Sequence, residues 1–167
     1  LQDVTHVPLW GVPLFQALWG VGMCVGAWAG GHLMDRNLKW ATIFAFLWNA
    51  AALGLFALVA HSVWLTALAV FMLGGGIAIG PAMQVRLMDV AADAQTLAAS
   101  MNHAAFNLAN AIGAWLGGLV LAVGFGLEAT GWAGMALSLV GLVLFLLSLQ
   151  VEARDARKAG AVDGQAV

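Results

Sequence analysis

In WATIFAFLWNAAALGLFALVAHSVWLTALAVFMLGGGIAIGPAMQV, residues 40–85, no side chain carries a formal charge. As a single α-helix rising about 1.5 Å per residue, this stretch would run about 69 Å, more than twice a hydrocarbon core of roughly 30 Å. It therefore reads as two membrane crossings, and the polar pair His61-Ser62 near its middle marks the hairpin between them.

The rest of the chain repeats the pattern. Of 167 residues, 63% are hydrophobic and only 8% are charged, against roughly 25% charged in soluble domains. The mean hydropathy is +0.94. The eight acidic and six basic residues cluster, leaving 9–34, 97–127 and 129–151 free of charge as well. Only helices and closed barrels satisfy the backbone in lipid, and runs this long without strand-like alternation are helices. The expected fold is all-α, a polytopic membrane helix bundle with five spans at about 9–34, 40–60, 63–86, 97–123 and 131–150. Residues 1–150 then form one transmembrane unit, and 151–167 read as a disordered cytoplasmic tail.

With five spans and an exterior N-terminus, Arg36, Lys39, Arg86, Arg154, Arg157 and Lys158 all fall on one side. The positive-inside rule makes that side the cytoplasm. Residues 1–8, the His61 hairpin and the Glu128 loop are then exterior, and the expected location is a bacterial inner membrane. The chain opens on Leu1 without a basic n-region, which predicts a fragment preceded by further helices. Cys24 has no second cysteine to pair with, and no His pair has metal-ligand spacing, so neither a disulfide nor a metal is expected. A net charge of −2, with mixed signs in the tail EARDARK, argues against nucleic acid.

Small and polar residues distinguish the spans. Gly22, Gly26 and Gly30 in the first, and Gly113 and Gly117 in the fourth, repeat a small-xxx-small spacing that lets a neighbouring backbone approach closely. The fourth span also carries Asn102, His103, Asn107 and Asn110, with Asn102, Phe106, Asn110, Gly113 and Gly117 on one face. These polar groups, with Gln16, Asn49 and Gln84, either line a solute path or bond across helices. His103 either moves protons or satisfies a local hydrogen bond. The third span, with Gly74-Gly75-Gly76, Gly80 and Pro81, is expected to bend towards its charged end, as a moving part or as a packing adjustment. The fifth has almost no polar atoms and reads as lipid-facing.

The segment GGHLMDRNLKW, Gly30 to Trp40, resembles the second copy of the signature loop of the major facilitator superfamily, G-x-L-x-D-R-x-G-R/K-x. Gly31, Leu33, Asp35, Arg36 and Lys39 match, while Leu38 stands at the usual second glycine. A longer stretch, GPAMQVRLMDVAADAQTLAASMNHAAFNLANAIGAWLGG at 80–118, looks like the junction of helices ten and eleven in the sugar and arabinose efflux permease branch of the drug:proton antiporter families. The resemblance implies helices eight to twelve of a twelve-helix fold, whose partner is the missing N-terminal half and whose work is export of small solutes without a cofactor. It also implies a conformational latch at Gly31, Asp35, Arg36 and Lys39, with Asp35 facing a helix N-terminus and Asp89 as a local salt partner. The alternative is that these charges only fix orientation.

No Asp, Glu, Lys or Arg lies deep within a span, so a proton-coupling residue is expected in the missing half. A membrane enzyme would need a nucleophile with a converging base, or a metal set. Ser100 and Ser138 have no such base, and an enzyme is not expected. The reading that competes with transport is a truncated half-transporter serving as an accessory subunit or a non-functional remnant.

Overall fold

A computed structural model describes residues 11–59, 62–76 and 79–163. All regular structure among them is helical: α1 (Val12–Arg36), α2 (Leu38–Val59), α3 (Val63–Gly75), α4 (Ile79–Val90), α5 (Gln95–Ala122) and α6 (Gly126–Asp163), with a 3-10 turn at Ala92–Ala94 before α5. Four stretches are long and apolar enough to cross a membrane: Val12–Arg36, Leu38–Val59, Gln95–Ala122 and Gly126–Arg154. His6, His61 and the first residues of the expected first span lie outside the described residues.

Of the third expected span, 63–86, the described residues form α3 up to Gly75 and α4 from Ile79, with 77–78 outside them. α3 has 13 residues, a length of about 20 Å, which falls short of a bilayer core of roughly 30 Å. It ends in the glycine triplet Gly74-Gly75-Gly76, where three residues without side chains leave the helix least supported. Pro81 is the third described residue of α4.

Two further boundaries differ from expectation. The turn between α5 and α6 is only Val123–Phe125, with Gly124 at φ +89° in the left-handed region that closes a helix end. Glu128 therefore falls in the first turn of α6 rather than in a loop, a favourable place for an anion. Residues 151–163, read as disordered tail, instead continue α6 as helix. Alternating charged and alanine residues there suit a helix leaving the bilayer.

Helices α1 and α2 meet at a single extended residue, Asn37 (φ −162°, ψ 102°). Its side-chain oxygen accepts a hydrogen bond from the Trp40 N–H at 3.2 Å and so caps α2. Leu38 is then simply the first residue of α2, so no glycine is needed at that position.

Packing follows two seams of small residues. On α1, Gly22 and Gly26 are buried, and a Cβ at either would run into the backbone of Phe71 or Gly75 of α3. On α6, Gly131 lies against Ala57 and Leu53, Gly134 against Leu53, and Gly141 against Phe46, all on α2. In a membrane, where apolar surface gains little by leaving lipid, such close backbone approach is what holds helices together. α2 lies between the seams, packed against α1, α3, α4 and α6. Its buried Thr42 donates to the Leu38 carbonyl at 2.8 Å, and Thr66 of α3 donates to the Val59 carbonyl at 3.1 Å, which secures the end of α2. α5 packs chiefly on its chain neighbours α4 and α6, and of its residues only Ala98 is buried.

Candidate functional site at the charged end of the bundle

Because α6 runs on past its apolar stretch, it carries Glu152 back beside two other helices. The Glu152 carboxylate accepts a hydrogen bond from Arg86 of α4 at 2.6 Å and from Lys39 in the first turn of α2 at 3.3 Å. Arg86 is also stacked over the Phe145 ring, with its guanidinium carbon 5.2 Å from the centroid, and its side chain is only 15% exposed. Covering by an aromatic face favours the cation and shields the guanidinium from solvent. One carboxylate thus joins α2, α4 and α6.

A second set of polar contacts lies at the glycine end of α3. The Trp48 indole N–H donates to the Met72 carbonyl at 2.8 Å, replacing a helical partner near the end of α3. Beside it, Asn49 donates to the Ser138 hydroxyl at 3.5 Å, and buried Ser138 donates to the Phe46 carbonyl at 3.0 Å. These bonds tie α2 to both α3 and α6.

The expected latch residues are distributed differently from the sequence reading. Lys39 takes part in the cluster, but through Glu152. Asp89 is exposed and pairs with neither Arg36 nor Lys39 among the described residues; it lies near the free end of α4, whereas Glu152 arrives on a separate helix. Asp35 and Arg36 are exposed at the end of α1 without an ion pair among the described residues, and a Cβ at Gly31 would meet nothing within 4 Å.

Of the expected cavity or interface residues, Gln16, His103, Asn107 and Asn110 are exposed, and Asn102 and Gln84 are half-buried. A Cβ at Gly113 or Gly117 would likewise meet nothing within 4 Å. The face of α5 is therefore open along its length.

Glu152, Trp48 and Ser138 were not legible as site residues. Glu152 sat in a stretch of mixed charge that reads as solvated, and Ser138 in a span that reads as bland. The clue available was spacing: Gly131, Gly134, Ser138 and Gly141 recur at helical intervals and mark a packing face.

Between α1, α2 and the end of α3 lies an apolar cleft of about 320 Å³, lined on α1 by Val25, Ala29 and Leu33 and on α2 by Ala41, Phe44 and Ala45. Its deep end is closed by Phe71, Gly75 and Trp48.

The comparisons with known proteins agree with this architecture. Residues 8–166 match the family model described as Major Facilitator Superfamily. The chain is 33% identical over 150 residues to the inner membrane transport protein YdhP of Escherichia coli (strain K12), covering 89% of this chain and 38% of that protein. It is 30% identical over 166 residues to the uncharacterized MFS-type transporter YtbD of Bacillus subtilis (strain 168), covering 95% of this chain and 41% of that protein. The chain thus spans about two fifths of the length of the curated relatives it matches. No solved structure matches it. With membrane-length helices packed on glycine seams and a family match along nearly its whole length, the chain is a multi-pass membrane protein of the major facilitator superfamily.

Proposed function

We propose that this chain forms the C-terminal wall of a secondary transporter that exports small sugar- or drug-like solutes by alternating access, with upstream helices supplying the other wall. The observation that carries this reading is α5. It is long enough to cross a membrane, yet it exposes His103, Asn107, Asn110 and Gly113 along an open face. Polar groups at membrane depth are costly against lipid and belong against protein or a water-filled path.

The Lys39–Glu152–Arg86 cluster acts in this reading as the latch. It holds α4 against α2 and α6 in one conformation and releases it in the other, with the glycine triplet as hinge. Asp35, left exposed, meets a helix N-terminus of the upstream half. The convergence of Lys39 and Arg86 at one end supports a cytoplasmic placement of that end, in a bacterial inner membrane.

The test is accumulation of radiolabelled sugars and fluorescent drug-like cations in cells carrying the full-length protein. Asn110→Leu abolishes efflux, and Glu152→Gln slows it about tenfold, the size of a typical coupling between two states. Asp35→Asn does the same. Efflux equal to wild type in Asn110→Leu would remove the support that α5 lends, and wild-type rates in both Glu152→Gln and Asp35→Asn would remove the latch.

A further inference from the structure

We infer that the cleft between α1 and α2 is a binding site for one acyl chain of an anionic phospholipid, whose phosphate is held by Arg36. The cleft has the right chemistry for hydrocarbon. Its lining side chains are apolar apart from Trp48, whose indole N–H is already given to the Met72 carbonyl. At about 320 Å³ it is larger than the apolar cavity of about 150 Å³ that stays dry and takes up benzene. Water has no partner there.

The cleft also has the right length and position. On α1 it runs from Gly22 to Met34, about 18 Å of helix, comparable with the roughly 15 Å that one leaflet contributes to a hydrocarbon core. It ends at the charged end of the bundle. There Trp40, 69% exposed, marks the level of the headgroups, where tryptophan is enriched.

Charge complementarity selects the headgroup. Arg36 lies three residues beyond Leu33, and so continues the face that Val25, Ala29 and Leu33 present to the cleft. It is exposed and has no ion pair among the described residues, whereas Lys39 and Arg86 are both taken by Glu152. Asp35, one position earlier, is turned about 100° away around the helix. A free guanidinium at the mouth of a chain-length apolar slot fits a phosphodiester, which it can bind through two parallel hydrogen bonds.

The test uses the full-length protein, purified in mild detergent and examined by native mass spectrometry with dioleoyl phosphatidylglycerol or dioleoyl phosphatidylethanolamine. Wild type retains one tightly held lipid and prefers phosphatidylglycerol about fivefold, the factor expected of roughly one basic side chain at an anionic surface. Arg36→Gln removes the preference but keeps the lipid. Ala29→Phe, which fills the slot, removes both, and the smaller Ala29→Leu does the same if the first variant fails to fold. A phosphatidylglycerol carrying a photoreactive acyl chain labels peptides within 25–33 and 41–48. Labelling elsewhere, a wild type that retains no lipid, or an Ala29→Cys variant that cross-links to an upstream helix would overturn the assignment.

Discussion

Two glycine stripes of the same spacing meet opposite fates. On α1, Gly22 and Gly26 are pressed against the backbone of α3, and Gly74 of that helix is in turn pressed against Trp19 and Met23. On α5, Gly113 and Gly117 meet nothing within 4 Å. The motif says only that a backbone is able to come close. Whether its partner lies on the same stretch of chain is a separate matter, and it separates a helix that holds this bundle together from one that offers a surface.

The largest expected effect tests the first stripe. Gly26→Leu forces a branched side chain into the Gly75 backbone, which has no side chain to move aside, and costs about 3 kcal/mol, at the upper end for overpacking. Its unfolding in a mixed-micelle titration shifts accordingly, and a midpoint equal to wild type would erase the contrast between the two stripes. Gly131→Leu probes the second seam. A Cβ there already lies 2.9 Å from the Ala57 Cβ and from the Leu53 carbonyl oxygen, so a loss of about 2 kcal/mol is expected by the same measurement.

Trp48→Phe keeps the ring but leaves the Met72 carbonyl without its donor, at about 1 kcal/mol. Hydrogen exchange of the amides in 72–76 speeds up as well, because the frayed end of α3 loses its anchor. Unchanged exchange would mean that the indole bond does not hold that end.

The smallest effect is on the other stripe. Gly117→Leu changes the stability of this chain by no more than about 0.5 kcal/mol, as for an open surface position. If the proposed transport reading holds, the same substitution in the protein with its upstream helices slows solute movement, because the face is then in use. A destabilisation of this chain equal to that of Gly26→Leu would show that α5 already packs on a partner.

The candidate site divides along similar lines. Lys39 was legible because it falls in a loop whose pattern can be matched residue by residue. Its carboxylate partner was not: Asp89 was the expected partner, but Glu152, 113 positions beyond Lys39, is the group that it meets at 3.3 Å. Nothing local distinguishes the two acids. Their difference arises only once α6 is seen to stay helical beyond Gln150.

What the sequence determined by itself is the all-helical fold and the four helices long and apolar enough to cross a membrane. The cost of leaving a charge or an unpaired backbone group in lipid is paid residue by residue, and charge-free blocks of 20 or more residues record it directly. What only the tertiary structure decided is which stripes meet, that α3 ends at Gly75, and that Glu152 gathers Lys39 and Arg86. Each of these depends on distances between residues far apart in the chain, which helical periodicity within one segment does not encode.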